Sequence, residues 1–175
     1  GQLDKLDFLM QSLIKMSRLE TGTFTLHPEE ANLADTIARA MSAVWAGAEE
    51  KGIELEADCD PDITVRHDPK WTAEALGNIL DNAVKYTPAS GRVLVTVRPW
   101  QFYTRIDITD TGPGISEEHY HDVFKRFYRA PETASEEGVG LGLYLANGIV
   151  TRQQGYISVR SKMGKGTTFS VYLLS

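Results

Sequence analysis

The sequence predicts an α+β protein, a two-layer α/β sandwich in which three helices cover one face of a mixed β-sheet, preceded by one further helix at the N-terminus. Two observations predict it. Stretches with the apolar period of a helix alternate along the chain with short stretches typical of strands. Their order, with three of the helices each followed by a pair of strands, fits helices gathered on one face of a mixed sheet. The 175 residues suit one domain.

The first element is a helix that ends at Gly22. Its apolar residues Leu3, Leu6, Met10 and Leu13 recur at spacings of three and four, which is typical of a coiled-coil seam. Glycine is a common residue just after a helix, so Gly22 marks the end. Residues 23–30 suggest a short strand.

The middle of the chain predicts two helices around two short strands. Asn32 is a suitable N-cap for a helix that runs to about Lys51. Strands follow from Ile53 and from Ile63. Pro69 then opens a helix that reaches about Tyr86, at a position where proline is tolerated.

The second half predicts two hairpins separated by a long loop and a helix. Residues 92–100 and 103–110 alternate apolar and polar side chains, as paired strands do. Residues 111–137 are rich in glycine, proline and charge, and they predict a functional loop with a short helix near 117–127. A helix from about 139 to 154 follows, and residues 156–174 close the chain as a hairpin.

Composition excludes several classes of function. The net charge of −6 argues against a nucleic-acid-binding surface. The single cysteine cannot form an internal disulfide. No apolar run approaches the ~18 residues of a membrane span, so we expect contact with a membrane only through segments outside this sequence. The four histidines have no metal-ligand spacing.

Three polar residues share a face of the helix that starts at Pro69. Asn78 and Asn82 are four residues apart, and Lys85 follows three residues later. Asparagine is unfavourable inside helices because its side chain competes for backbone hydrogen bonds. Amide oxygens can contact Mg²⁺ or its waters and an ammonium can meet a phosphate, but a solvated polar face is an equal alternative.

Two glycine-containing turns follow strands. In "DTGPGI", Asp110 ends a strand, and Gly112 and Gly114 permit a tight turn. The aspartate could accept a hydrogen bond from an exocyclic amine such as that of adenine, or it could only bond neighbouring amides. In "GKGTTF", residues 164–169, the glycines could make a tight hairpin or could bring Thr167 or Thr168 to the floor of a purine pocket.

The remaining motifs surround the predicted loop. In "GVGLGL", Gly138, Gly140 and Gly142 lead into a helix N-terminus, whose free amides suit phosphate oxygens. A bend without further purpose is the alternative. In "VFKRFYR", residues 123–129, the phenylalanines could dock a lid while Arg126 or Arg129 reaches a phosphate, or they could pack beneath the loop.

These five motifs, in this order, resemble the ATP-binding domain of bacterial sensor histidine kinases, in the superfamily of gyrase, Hsp90, histidine kinases and MutL. "NILDNAVKYTP" resembles the N box, "DTGPGI" the G1 box, "FKRFYR" the F box, "GVGLGL" the G2 box and "GKGTTF" the last glycine motif. "MSRLETG" resembles the end of the second dimerisation helix. The resemblance implies that residues 1–22 are the C-terminal part of that helix, that residues 23–175 are a Bergerat-type catalytic domain, and that 111–137 form its ATP lid.

The resemblance also implies residue roles, with ATP and Mg²⁺ as cofactors. Asp110 would recognise the adenine amino group and Asn82 would hold Mg²⁺, with Asn78 beside it. Arg129 would contact the γ-phosphate, so that Asn78, Lys85 and Arg129 form the catalytic set. The residues that would bind the nucleotide are Asn78, Asn82, Lys85, Tyr86, Asp110, Gly112, Gly114, Gly138, Gly140, Leu141, Gly142 and Thr167.

The implied function is transfer of the ATP γ-phosphate to a histidine on a dimerisation helix, for relay to a response regulator by a homodimeric, cytoplasmic kinase whose parent protein could be anchored in the bacterial inner membrane. Two departures from the family pattern stand out. Val139 occupies a position where threonine or serine is common. No histidine here has the context of the acceptor, since His27 precedes Pro28 and His67 precedes Asp68. A nucleotide-sensing module, or another ATPase or serine kinase of the superfamily, is the alternative.

Overall fold

Four helices and seven strands make up the described part of the chain, residues 2–128 and 140–174 of a computed structural model. The helices are α1 (Gln2–Thr21), α2 (Leu33–Lys51), α3 (Pro69–Tyr86) and α4 (Gly142–Thr151). The strands are β1 (Glu29–Asn32), β2 (Glu54–Asp58), β3 (Thr64–His67), β4 (Arg92–Pro99), β5 (Tyr103–Asp110), β6 (Tyr156–Lys162) and β7 (Gly166–Leu174).

Five of the strands form one mixed sheet in the order β2-β4-β5-β7-β6. The β2–β4 pair is parallel, and the other three pairs are antiparallel. Strands β1 and β3 form a separate antiparallel pair. The helices α2, α3 and α4 pack on this frame, and α1 precedes it, so the predicted two-layer α+β fold is confirmed.

The core lies between the sheet and the helices. The inward-facing residues form rows across neighbouring strands: Ile106 of β5 pairs with Val171 of β7, and Ile108 pairs with Phe169. All four are buried. The α3 helix supplies the facing side through Leu76, Ile79 and Leu80, each 1% exposed or less. Because residues of a strand alternate between two faces, the same pattern decides which polar residues at the strand ends face the helices.

The ends of the helices follow the sequence signals. The Asn32 side chain accepts a hydrogen bond from the Asp35 amide at 2.8 Å, and Asp68 accepts one from the Trp71 amide at 2.9 Å, just before Pro69. Both are N-caps, as predicted for Asn32. At the far end of α3, Lys51 Nζ donates to the carbonyl oxygens of Val84 at 3.0 Å and Lys85 at 2.6 Å. This contact fixes the helix end that carries the polar residues of interest.

Three predicted elements were wrong in position or type. The strand predicted at residues 23–30 lies later, at Glu29–Asn32, because Phe24 instead packs its ring on Trp71 at 4.2 Å. The helix predicted near 117–127 is two short 3₁₀ turns, Glu117–His119 and Asp122–Phe124. The last predicted helix begins at Gly142 rather than residue 139 and ends at Thr151.

The N-terminal helix is anchored by its last turns. Leu19 is 5% exposed and packs on Gly148 of α4, where a Cβ atom would lie 2.2 Å from the leucine Cδ2. Leu3, Leu6 and Met10 of the predicted seam are all more than half exposed in the single chain. Gly22, with a φ of 76°, follows the helix as predicted. Within the described residues, no helix is both long enough and apolar enough to cross a membrane.

The imidazole of His67 is buried where β3 meets α2. Its Nδ1 lies 2.8 Å from the Val65 carbonyl oxygen, which can only accept, so Nδ1 carries the proton. In the neutral imidazole the other nitrogen, Nε2, accepts from the Thr36 hydroxyl at 2.7 Å. Burial lowers the pKa of His67, and the Val65 carbonyl and the charges of Asp68, Glu29 and Glu30 oppose that shift.

We therefore expect the free energy of unfolding to fall as the pH drops below about 6.5, because the unfolded chain takes up a proton that the folded chain resists. One such group costs at most about 1.4 kcal/mol by pH 5.5. Urea unfolding at pH 7.5 and 5.5 should show a smaller change for His67→Gln than for the parent chain. His27→Gln, at an exposed histidine, is the control. An unchanged pH dependence in His67→Gln would show that another group is responsible.

Candidate functional site

Two adjoining pockets lie between α3, the segment after β5 and the start of β7. The first has polar residues Asp110, Gly114 and Thr167 and an apolar wall of Ile115, Val123, Leu143 and Phe169. The second is lined by Asn78, Lys85 and the chain from Gly140 to Leu143, with Phe8 of α1 at its border. Asn82, Tyr86 and Tyr128 line both. The two pockets thus form one cleft with an apolar end and a polar end.

Asp110 lies at the base of the apolar end because it continues an inward-facing row of the sheet. It ends β5 and pairs directly with Thr167, one step beyond the apolar Ile108–Phe169 pair. Its Oδ1 accepts from the amides of Gly112 at 2.9 Å and Thr167 at 3.2 Å. In the described part of the chain, no group donates to Oδ2. A flat ligand with an exocyclic amine therefore has a free carboxylate oxygen to bind.

The electrostatics of Asp110 suit a neutral donor. The residue is 8% exposed, and its burial raises the pKa of the carboxyl group, while the hydrogen bonds from Gly112 and Thr167 act in the opposite direction. Both amides bond the same oxygen of this pocket-lining carboxylate, so the second oxygen has no donor among the described residues. Of the residues that the structure describes, no lysine or arginine lines the apolar end. An amino group, rather than a phosphate, is the chemical partner that such an oxygen prefers.

Glycine is required where the last hairpin meets β5. At Gly166, φ is 117°, and a Cβ atom would lie 2.0 Å from the Asp110 carbonyl oxygen. Any side chain would push β7 away from Asp110 and separate the Thr167 amide from the carboxylate. Thr167 therefore lines the pocket, whereas Thr168 faces the opposite side of the sheet and bonds Thr109 at 3.0 Å.

The polar end lies on α3 and at the start of α4. Lys85 Nζ pairs with Asp81 Oδ2 at 3.0 Å, and the Phe8 ring lies 6.0 Å from the same nitrogen. The first turn of α4 packs on Asn78, since a Cβ at Gly142 would lie 3.7 Å from that of Asn78. No side chain of the described residues caps α4, so the first amides of this helix are available to an anion in the second pocket.

The loop after β5 covers the cleft through aromatic contacts. Phe124 packs edge-on against Phe169 with ring centroids 6.0 Å apart, and Tyr128 contributes to both pockets. Phe127 is exposed, with a φ of 61°. Arg126 does not reach the polar end, because it pairs with Glu20 of α1 at 2.8 Å. Phe124 thus packs beneath the loop, as one of the two interpretations of this motif expected, and it also lies near the cleft.

Most of the residues predicted from the sequence come together here. Asn78, Asn82, Lys85, Tyr86 and Leu141 line the cleft, and so do Asp110, Gly114, Gly140, Gly142 and Thr167. Gly112 does not line the cleft, but its backbone amide donates a hydrogen bond to the Asp110 carboxylate. Arg129 and Gly138 lie outside the described residues.

Sequence reasoning missed the apolar residues of the cleft. Val123, Tyr128, Leu143 and Phe169 carry no chemical signature, because an apolar side chain in a pocket and one in the core look alike in a sequence. Only the pairing of β5 with β7 and the path of the loop bring them beside Asp110. Among the described residues, no cluster of three or more His, Cys, Asp or Glu side chains could hold a metal ion.

A cleft with a buried carboxylate at its apolar end and a helix N-terminus at its polar end, on this α+β frame, has the features of a nucleotide-binding site. The chain belongs to the histidine kinase-, DNA gyrase B- and HSP90-like ATPases, whose family model matches residues 67–175, and within them to the catalytic ATP-binding domains of sensor histidine kinases.

Similar proteins are kinases of bacterial signalling. The adaptive-response sensory kinase SasA of a Synechococcus species is 32% identical over 171 residues, which cover 96% of this chain and 45% of that protein. The chain thus spans less than half the length of that relative. A solved structure of the mycobacterial sensor histidine kinase MprB is 30% identical, with a TM-score of 0.73, and the match covers 85% of this chain and 97% of that one.

A second structure covers nearly the whole chain, including α1. The full-length kinase ShkA, solved in complex with AMPPNP, is 25% identical with a TM-score of 0.86; the match covers 98% of this chain and 36% of ShkA. These similarities confirm the predicted family and ATP as the ligand of this domain. They leave the role of each site residue as a prediction.

Proposed function

We propose that this chain transfers the γ-phosphoryl group of ATP to a histidine on a dimerisation helix of a sensor kinase, from which a response regulator receives it. The observation that carries the proposal is the single cleft with Asp110 at one end and Asn78, Asn82 and Lys85 at the other. The opposite chemistry of its ends matches the two ends of ATP.

At the apolar end, the adenine ring would lie between Ile115, Leu143 and Phe169. Its amino group would donate to Asp110 Oδ2, which the neighbouring amides leave free. Guanine has a carbonyl oxygen at the equivalent position, and two acceptors cannot bond each other. The site should therefore prefer ATP to GTP strongly, because a mismatched polar group is left unpaired.

At the polar end, the phosphates would meet the first amides of α4 and the ammonium of Lys85. Lys85 now pairs with the half-exposed Asp81, an i,i+4 pair worth only a few tenths of a kcal/mol, so a triphosphate can displace the aspartate at low cost. Tyr86 reaches both ends and would contact the ribose.

The residues present fit a magnesium ion that arrives with the nucleotide. Mg²⁺ retains several waters and binds through phosphates and one or two protein oxygens, and Asn82 lies where the two pockets join. Asn82 would hold the ion with Asn78 beside it. The ion would supply neutralisation of charge on the phosphate oxygens.

In phosphoryl transfer the protein contributes mainly position and charge. Lys85 would stabilise charge on the phosphates, and the α4 N-terminus would fix the chain of phosphates in line with an incoming imidazole. Arg129 would reach the γ-phosphate from the loop. The α1 helix, with its exposed Leu6 and Met10, would be the end of the second dimerisation helix, so we place residues 1–22 in the dimerisation unit and 23–175 in the catalytic domain.

The test uses ATP labelled at the γ-phosphate, with Mg²⁺. The chain alone should gain essentially no acid-labile phosphate, because none of its four histidines has an acceptor's context and His67 is 1% exposed. A longer piece of the same kinase that carries a dimerisation histidine should become labelled when this chain is added. Separate chains forfeit part of the ~7–11 kcal/mol that proximity can supply, so slow transfer is expected. Stable phosphohistidine on the chain alone would contradict the proposal.

A nucleotide-sensing module is the second candidate, and one observation favours it. Glu20 near the end of α1 accepts a hydrogen bond from Tyr144 of α4 at 2.9 Å and also pairs with Arg126 of the loop. Nucleotide binding could therefore reposition α1 without chemistry. ATP binding with no labelling of the longer piece would select this candidate.

A further inference from the structure

Beside the cleft, the backbone of Ser161 is held by a tyrosine hydroxyl. Strand β6 is an edge of the five-stranded sheet, so alternate backbone groups along it have no strand partner. Tyr120, in the loop after β5, fills one such position: its hydroxyl accepts from the Ser161 amide at 2.7 Å and donates to the Ser161 carbonyl at 2.8 Å. The base of the loop is thereby fixed to the sheet edge.

The side chain of Ser161 extends the polar row of the cleft. Ser161 pairs with Thr167, which pairs with Asp110, so the three side chains lie side by side on the inner face. The Ser161 backbone groups point outward to Tyr120, so Ser161 and Thr167 form a non-hydrogen-bonded pair, in which side chains are closest. Their hydroxyl oxygens are 2.9 Å apart.

The proton on each hydroxyl can be assigned from the remaining contacts. Ser161 Oγ lies 2.8 Å from the Gly166 carbonyl oxygen, which only accepts, so serine donates its single proton there. Ser161 Oγ also accepts from the Ile115 amide at 2.6 Å. Its one remaining capacity is to accept, so the Thr167 hydroxyl must donate to Ser161. Thr167 Oγ1 therefore presents only lone pairs to the cleft.

We infer that Ser161 is a specificity-determining positioning residue: it fixes the Thr167 hydroxyl as an acceptor, and Tyr120 holds Ser161 in place. The floor of the apolar end then offers two acceptors, Asp110 Oδ2 and Thr167 Oγ1. Such a floor suits the amino group of adenine, directly or through one water, and opposes the carbonyl oxygen of guanine. The inference rests on the proposed placement of the purine.

In Ser161→Ala the threonine hydroxyl is free to rotate and donate, and the Ile115 amide loses its partner. We expect the ratio of GTP to ATP dissociation constants to fall about 10-fold, the order of one hydrogen bond. Ser161→Thr, which retains the hydroxyl, should keep the parent ratio. Ser158→Ala, on the same strand and without a side-chain hydrogen bond among the described residues, is the matched control. Calorimetry with both nucleotides measures the ratios.

A double-mutant cycle separates this role from general support of the fold. Thr167→Val should lower the ratio of GTP to ATP dissociation constants as Ser161→Ala does. Because Ser161 acts through the Thr167 hydroxyl, the ratio in the double variant should be little lower than in Thr167→Val alone. Tyr120→Phe should also reduce the ratio, by less. A ratio that is unchanged in Ser161→Ala or in Thr167→Val would overturn the inference, and so would a lowered ratio in Ser161→Thr. A parent chain that binds GTP as well as ATP would overturn the proposed purine site as well.

Discussion

Replacing Asp110 by alanine should lower the affinity for ATP on the order of 100-fold or more. The variant loses the only carboxylate that the described residues place at the apolar end of the cleft. It also leaves the amides of Gly112 and Thr167 without their acceptor. Sites built around a buried polar group reject a partner that leaves it unpaired far more strongly than apolar pockets do. Calorimetric titration of the folded variant with ATP and Mg²⁺ measures the effect.

The control for that result is a second buried aspartate on the same strand. Asp107 is also 8% exposed, but it faces the other side of β5, where it accepts from Ser170 at 2.6 Å and pairs with Arg105. Asp107→Ala should reduce stability and leave ATP binding intact in the folded fraction. Equal loss of binding in the two variants would mean that Asp110 acts only through the fold. Normal binding by Asp110→Ala would remove it from the site.

Replacing Gly166 by alanine should destabilise the chain by about 3 kcal/mol or more. Two costs combine there: a φ of 117°, which L-residues rarely adopt, and a Cβ atom 2.0 Å from the Asp110 carbonyl oxygen. Because that oxygen belongs to the β5 backbone, relief requires β7 to move away from β5. The movement would also break the hydrogen bond from the Thr167 amide to the Asp110 carboxylate, so the affinity for ATP should fall together with the free energy of unfolding.

The hairpin contains its own matched control. Gly164 also has a positive φ, 81°, but a Cβ there would meet no atom within 4 Å. Gly164→Ala should cost only the conformational strain, about 1–2 kcal/mol. Urea unfolding of both variants isolates the contact with Asp110 from the strain. Similar losses of stability in the two would contradict the close approach of β7 to β5.

The sequence predicted the frame well because its signals are local. Asn32 and Pro69 mark helix starts that depend on one or two neighbouring groups, and the alternation in β5 and β7 directly encodes which face is buried. The wrong elements are those that depend on distant partners. Residues 23–30 resemble a strand in sequence, yet the Phe24 ring packs on Trp71 instead. The turns near residue 120 are held by a hydrogen bond from Tyr120 to Ser161, 41 positions away.

The candidate site divides in the same way. Asp110 and the Asn78–Asn82–Lys85 face could be predicted, because polar residues at a strand end and inside a helix contradict local preference and so indicate function. The apolar wall and the Ser161 hydroxyl could not. Serine in a strand is unremarkable by itself, and only the register of β6 on β7 places it against Thr167.

A crystal structure with AMPPNP and Mn²⁺ tests the central claim most directly. We predict that the adenine amino nitrogen lies within hydrogen-bond distance of Asp110 Oδ2, that the phosphates lie between Lys85 and the start of α4, and that the anomalous signal of Mn²⁺ lies at coordination distance from Asn82. A nucleotide bound elsewhere, or one whose phosphates occupy the Asp110 end, would contradict the account.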